Sequence, residues 1–331
     1  MRIKPMRHNE PQSFLQKLYK YRTYLLGLVI LVVGIASIVG VQAHQKNVTE
    51  ADSTSAVRAK GPTAHAIQAQ QKQLKHKLTH YLKSVTADGT ASVSFYNLGP
   101  TAGSSAAKSR TTRRLYKQGQ LAASANAHTP AVSASTYKLF IAAYLFHQNH
   151  LGYYDWTLTE KDGFQRMIVN SENDFAEGVL DAYGLTTLDD FIASEGWYSP
   201  TFVANQASVT TAYSLTLLLK KLALQQAPFN HAHDRQWLLS LMNKQIYRTG
   251  IPAGAATAKK GTVVADKVGF LGDINNDAAI VTLPNGQRYV LVIMTHGHGQ
   301  TGFSGFPRMA EITTHIQKMM YDPSIVKGLN K

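Results

Sequence analysis

The chain has 331 residues, with 34 Lys and Arg against 20 Asp and Glu, a net charge of +14 with neutral histidines, and no cysteine. That length suffices for one large core or two small ones. The absence of cysteine excludes disulfides and thiolate chemistry, and no P-loop or dinucleotide fingerprint occurs.

The first 22 residues carry Arg2, Lys4, Arg7, Lys17, Lys20 and Arg22 against one acid, Glu10. Tyr24 to Val41 then runs 18 residues without a charge, YLLGLVILVVGIASIVGV. A bilayer needs roughly 17 to 25 apolar residues. The cationic flank predicts a cytoplasmic N-terminus (residues 1–23) and export of everything after the segment. Val41-Gln42-Ala43 offers a signal-peptide cleavage site, but the apolar core and the leader are long for that role. The expectation is a transmembrane anchor over residues 24–41 in the cell membrane, with a secreted protein if it is cleaved. Six of the positive charges thus belong to the membrane flank. The others suit solvated helices, or attraction to an anionic envelope polymer or lipid surface. Nucleic acid is not an expected partner of an exported chain without a basic-aromatic motif.

Residues 42–65 are polar, lack periodicity and read as a flexible spacer; the domain proper is placed at 66–325. From Ala64 to Leu82 a helical pattern sets Leu74, Leu78, Tyr81 and Leu82 on one face. Ser92 to Leu98 alternates like a half-buried strand, and Arg113 to Lys117 is its expected partner across a loop from Gly99 to Arg110. Helical segments dominate from Tyr137 to about Leu224. Strands return at Thr262 to Gly269, Asp277 to Leu283 and Arg288 to Thr295, with Asn285-Gly286 as a hairpin turn. An amphipathic helix, Arg308 to Tyr321, closes the pattern. Strands at both ends and helices between predict an α+β fold, an antiparallel sheet formed from both ends of the domain, flanked by helices and carrying an inserted helical lobe.

Three motifs carry the chemistry: Ser135-Thr136-Tyr137-Lys138, Ser171-Glu172-Asn173 and Lys267-Val268-Gly269. They form the pattern S-x-x-K, S-x-N, K-x-G of enzymes that take an acyl group onto serine with lysine as the base. None is specific alone. Ser-x-x-Lys recurs at Ser105 to Lys108 and Ser324 to Lys327, and Lys-x-Gly at Lys117, Lys161 and Lys259. Context selects the trio. Ser135 sits where a small-residue loop gives way to LFIAAYLF, apolar on nearly every face and so a buried helix. In its first turn Ser135 and Lys138 share a face, near free N–H groups suited to a developing oxyanion. Each motif also has a plain structural reading: Ser135 as an N-cap, Lys138 as a solvated helix residue, Ser171 and Asn173 as caps, Lys267 to Gly269 as a strand end.

From about Ala66 to Tyr321 the chain resembles the class A β-lactamase and penicillin-binding protein superfamily of serine acyl-transferring enzymes. The stretches SASTYKLFIAAYLF, MIVNSENDFAEGVLDAYG and VADKVGFLGDINNDAAIVTLPNGQRYVLVI carry that resemblance. It implies Ser135 as nucleophile, Lys138 as the amine that takes its proton, and Ser171 as relay to the leaving nitrogen. It further implies that Asn173 holds the substrate's amide side chain and that Lys267 supplies positive charge to Ser171 and to a substrate carboxylate. The oxyanion hole would be the backbone N–H groups of Ser135 and Phe270, with Gly269 allowing close approach. The substrate would be a β-lactam or a peptidoglycan-type amide such as a stem peptide.

Two departures from the family pattern bear on activity. No Asp or Glu occurs between Glu195 and Asp234, where class A enzymes place the glutamate that activates the deacylating water. Glu195 itself ends the preceding helix. Val268 stands where a hydroxyl residue usually helps bind the substrate carboxylate. Only 36 positions separate Ser135 from Ser171, so the lobe looks trimmed. The expectation is an acylating serine hydrolase with slow deacylation; the competing one is a non-catalytic envelope-binding module that keeps the fold. His231-Ala232-His233 and His296-Gly297-His298 resemble metal fragments, but no nearby cysteine or carboxylate cluster completes a site. No metal or cofactor is expected.

Overall fold

The computed structural model describes residues 61–330. The basic segment 1–23, the anchor 24–41 and most of the spacer 42–65 lie outside the described residues. Among the described residues no helix is long and apolar enough to cross a membrane.

Thr63 caps the first helix, α1 (Ala64–Val85), by accepting from the Ala66 N–H at 3.1 Å. Ile67, Leu74, Leu78 and Leu82 form its buried stripe, and Tyr81 stacks on His315 with ring centroids 4.1 Å apart. Strand β1 (Ala91–Asn97) follows. Two short helices come next, α2 (Ser105–Lys108) and α3 (Arg110–Leu115), each capped by the serine before it. The expected loop from Gly99 to Arg110 therefore contains a helix, and Arg113 to Lys117 is not the partner of β1. Ser109 accepts from the Thr112 N–H and turns that segment into a helix that buries Thr111, Thr112 and Leu115. The edge beside β1 is taken instead by β2 (Ala123–Ala125).

A short pair, β3 (Ala131–Val132) and β4 (Val209–Thr210), brackets the helical lobe. A 3-10 turn (Ala134–Tyr137) feeds α4 (Lys138–His150), whose residues from Lys138 to Phe146 are all buried. A helix apolar all round needs neighbours on every side. They are α5 (Leu158–Val169), α6 (Asp174–Tyr183), α7 (Leu185–Ser194) and α8 (Ala212–Ala223), which join it in one core.

Two further helices, α9 (Ala232–Asn243) and α10 (Ile251–Ala258), precede β5 (Val263–Leu271), β6 (Ile274–Thr282) and β7 (Arg288–Thr295). Neither helix has a strong apolar period, and sequence patterning did not anticipate them. Gly286, at φ +87°, makes the turn between β6 and β7, where an added Cβ would lie 2.2 Å from Ser104 Cβ. Then come α11 (Phe306–Tyr321) and α12 (Pro323–Leu329).

The sheet runs β2-β1-β7-β6-β5, every pairing antiparallel. Strands from both ends of the domain thus lie side by side, with the lobe inserted between them. Alternation divides the sheet cleanly. Ala265, Ala278, Val290 and Val292 face the lobe; Val264, Val268, Ala279, Leu291 and Ile293 face α1, α10 and α11. Strand β5 is the outer edge on the lobe side, where it passes the 3-10 turn.

Helix α10 meets α11 at Gly254, where an added Cβ would sit 2.1 Å from the Ala310 carbonyl oxygen. Gly254→Ala is expected to lower stability by about 1–3 kcal/mol, the usual cost of overpacking. An unchanged urea midpoint would show that the two helices can part without cost.

Candidate active site

Burial separates the chosen motifs from their rivals. Lys138 and Lys267 are both 0% exposed. By contrast Lys108, Lys327, Lys117, Lys161 and Lys259 are all exposed, as are Ser105 and Ser324. Two lysines that bury their amines lose hydration, so both need partners.

The first amine finds three. Lys138 Nζ lies 3.0 Å from Ser135 Oγ, 2.7 Å from the Ser171 carbonyl oxygen and 2.6 Å from Asn173 Oδ1. As an ammonium it donates to all three. As a neutral amine it still donates to the two oxygens that only accept, and its lone pair faces the Ser135 hydroxyl. The second amine, Lys267 Nζ, donates to Ser171 Oγ at 2.7 Å and to the Val268 carbonyl at 3.0 Å. Ser171 is therefore held from two sides, by its carbonyl and by its hydroxyl. It adopts φ +63°, a left-handed conformation that costs a non-glycine residue of order 1–3 kcal/mol. The two lysines over-determine that geometry.

Burial shifts both amines toward the uncharged form. Burial pushes Lys138 down to about 8, opposed by the carboxylates of Glu177, Asp174 and Glu172. Burial and then the Lys138 amine push Lys267 well below the usual lysine range, while Asp266 and Asp277 oppose the shift. These two carboxylates lie beneath the site. Asp266 alternates with Lys267 along β5 and faces the opposite side of the sheet, as does Asp277 on β6, whose cross-strand partner is Val268. Asp266 Oδ1 pairs with Arg248 Nη1 at 2.5 Å, and Asp277 Oδ2 accepts from the Ile251 N–H at 2.8 Å. Desolvation raises both acids above the usual carboxylate range, Asp266 further raised by Asp277.

The turn carrying Ser135 is pinned to the sheet. Asn276 on β6 donates to the Val132 and Ser133 carbonyls at 2.9 and 3.0 Å, and Ser133 Oγ meets Ser208 Oγ at 2.6 Å. Ala134, just before the nucleophile candidate, sits at φ +42°. Gly269 touches this turn so closely that a Cβ would fall 2.8 Å from the Ser133 carbonyl and 2.9 Å from the Ser135 nitrogen. Glycine is required there.

Ser135, Asn173 and Phe270 line a cleft of about 380 Å³, together with Tyr137, Glu177 and Phe202. One expected binding residue does not. Val268 is fully buried in the core on the far face of β5, because alternation turns it away from Lys267 and Gly269. It meets the site only through its carbonyl. Sequence reading also missed Glu177 and Asn276. Nothing near Glu177 marks it as a cleft residue; the Asn275-Asn276 pair inside a strand was a usable signal, since asparagine is depleted there.

Among the described residues no carboxylate hydrogen-bonds into the site. Glu195 pairs with Lys221. Asp189 is turned under the loop after α7, accepting from the Thr201 and Phe202 N–H groups at 2.7 and 3.2 Å. His298 binds Asp88 and Thr90 in a surface loop.

A family model described as the beta-lactamase enzyme family matches residues 154–322. That span includes Ser171 to Asn173 and Lys267 to Gly269 and starts after Ser135 and Lys138. Among solved structures, PBP-A is similar at 21% identity, covering 76% of this chain and 94% of that one, with a TM-score of 0.56. A β-lactamase from Sphaerobacter thermophilus is similar at 16% identity, over 73% of this chain and 96% of that one, with a TM-score of 0.58. One from Burkholderia phymatum shares 17% identity over 75% and 99%, with a TM-score of 0.57. A PBP-A variant with a TM-score of 0.55 and 21% identity, over 76% of this chain and 95% of that one, is an acyl-enzyme complex with penicillin G. No curated protein matches the chain. The likenesses show the fold, α+β with an antiparallel sheet and helices.

Asn276→Ala would remove two hydrogen bonds and leave the Val132 and Ser133 carbonyls without that donor. The expected loss is about 1–3 kcal/mol per unsatisfied buried group, read in thermal unfolding. A melting temperature equal to that of the natural protein would mean the turn is held by other contacts.

Proposed function

The chain belongs to the β-lactamase enzyme family, and from that premise we propose that it is an extracytoplasmic serine hydrolase that forms an acyl-enzyme on Ser135. Its substrates would be β-lactams or peptidoglycan-type amides. The observation that carries this reading is the pair of contacts Lys138 Nζ to Ser135 Oγ at 3.0 Å and Lys267 Nζ to Ser171 Oγ at 2.7 Å. An amine poised to accept a hydroxyl proton and a second serine backed by an amine are the parts that acyl transfer needs.

Ser135 Oγ attacks the amide carbonyl as its proton passes to Lys138. The negative oxygen that develops is met by the Ser135 and Phe270 N–H groups, on the turn and on the edge strand that Gly269 brings against it. The C–N bond breaks, and the leaving nitrogen takes a proton from Ser171 Oγ. Lys267 holds the resulting oxygen, and the proton on Lys138 returns to the network. Asn173 presents its amide to the substrate's side chain, and Lys267 also attracts its carboxylate. Hydrolysis of the ester then needs an activated water. A positioned general base is worth roughly 10²- to 10⁴-fold, and among the described residues no carboxylate is held at Ser135, so release is slow. Glu177 lines the cleft but is exposed.

Incubation with a fluorescent penicillin is expected to label the protein for minutes, and Ser135→Ala is expected to abolish the label. Lys138→Ala should slow labelling by about 10²- to 10⁴-fold. The reactive form is the neutral amine, so the labelling rate should fall as pH drops below about 8 and level off above it. Glu177→Gln should leave the lifetime of the label unchanged. Turnover without accumulated label, lost in Glu177→Gln, would reverse the account of deacylation. No label at any concentration would favour a non-catalytic envelope-binding module.

We also propose that residues 24–41 anchor the protein, N-terminus inward, in the cell membrane. Support comes from the 18-residue uncharged stretch and its basic flank. Recovery of the full chain in the soluble fraction of lysed cells would refute this.

A further inference from the structure

Helix α4 starts with Lys138 and ends with His150, and at that far end three polar side chains converge. His150 Nε2 lies 3.0 Å from Asp234 Oδ2, a residue 84 positions away. The His150 and His231 rings stack with centroids 3.5 Å apart and 22° between their planes. One ligating atom from each of His150, His231 and Asp234 lies within 4.8 Å of the others. The pair His231-Ala232-His233, incomplete as a metal fragment in sequence, thus gains a carboxylate from its own helix and an imidazole from another.

An acid in the first turn of a helix with a histidine beside it needs no ligand to explain it, because the helix N-terminus favours negative charge. The second imidazole is not covered by that explanation. His231 precedes α9 and makes no side-chain capping bond to it, yet its ring lies against His150. Two imidazole nitrogens and one carboxylate oxygen are donors suited to Zn²⁺, which binds each at about 2.0–2.2 Å. Tetrahedral donors at such distances stand roughly 3.3 Å apart, so binding an ion requires the exposed His231 ring to rotate out of its stack on His150 and bring a ring nitrogen in line with the pair His150 and Asp234. The surroundings suit it as well. His150 and Asp234 side chains are only 14% and 12% exposed, whereas His231 is exposed and leaves a way in. Asp234 Oδ1 is met by His233 Nδ1 at 3.2 Å, an outer contact of the sort that orients a ligating carboxylate.

We propose that His150, His231 and Asp234 bind one divalent transition-metal ion of the Zn²⁺ type, with water in the fourth position. The ion cross-links the end of α4 to the start of α9. Its place is structural: it steadies the helix whose opposite end presents Lys138, and it takes no part in acyl transfer.

Equilibrium dialysis of the full chain against ZnCl₂ near neutral pH, followed by metal analysis, tests the site. One saturable ion per chain is expected, with a rise in melting temperature that EDTA reverses. His231→Ala, at an exposed position, should fold normally and weaken binding at least tenfold; Asp234→Asn should do the same. Co²⁺ should give the visible absorption of a four-coordinate site in the natural chain and not in His231→Ala. His76→Ala and His80→Ala remove a pair spaced one helical turn apart on α1 and should leave the binding unchanged. Binding that survives His231→Ala, or is lost in the α1 variants, would overturn the proposal, and so would the absence of saturable binding.

Discussion

The site depends on two lysine amines buried in one crevice. Each loses its hydration, and together they repel if both are charged. The arrangement persists because each amine is matched to oxygens that only a particular backbone can supply. Lys138 needs the Ser171 carbonyl and Asn173 Oδ1; Lys267 needs Ser171 Oγ and the Val268 carbonyl. Ser171 is the shared partner, and its left-handed φ is what allows it to face both. Removing either amine would leave a strained residue with half its support.

Much of the rest of the molecule can be read as holding this junction. Helix α4 is buried on every side from Lys138 to Phe146, so its first turn cannot shift without disturbing the lobe core. The 3-10 turn ahead of it is tied to β6 through Asn276 and pressed by Gly269 of β5. On the reverse side of the sheet, Asp266 and Asp277 place carboxylates beneath Lys267, and Arg248 keeps those acids from standing alone. A charge gradient is built through the thickness of one strand. It opposes the loss of the proton from Lys267 while burial promotes that loss.

The cleft is equipped unevenly. On the proposed reading the groups for forming an ester surround Ser135, but the one buried acid of α7, Asp189, is turned under the following loop to hold the Thr201 and Phe202 amides. Glu195 is engaged with Lys221 at the end of the same helix. This asymmetry supports the proposal that ester formation outpaces release. At the other end of α4, His150 and Asp234 join a second polar cluster, so a single greasy helix links two sites of different chemistry.

Local features made much of this legible in the amino-acid order. The apolar run after Lys138, the alternation along β1, β6 and β7, the Asn285-Gly286 turn and the three motifs in their order were visible, because each depends on neighbours a few residues apart. Patterning failed where short polar signals outweighed period. Ser109 makes a helix of Arg110 to Leu115, and α9 and α10 carry weak apolar patterns. Only the tertiary structure decided which Ser-x-x-Lys and which Lys-x-Gly are buried, that Val268 faces away from the cleft, that Glu177 enters it, and that His150 meets His231 and Asp234. Those outcomes rest on contacts between segments far apart along the chain, and the balance of burial against partner geometry that selects them exists only once the sheet and the lobe have packed.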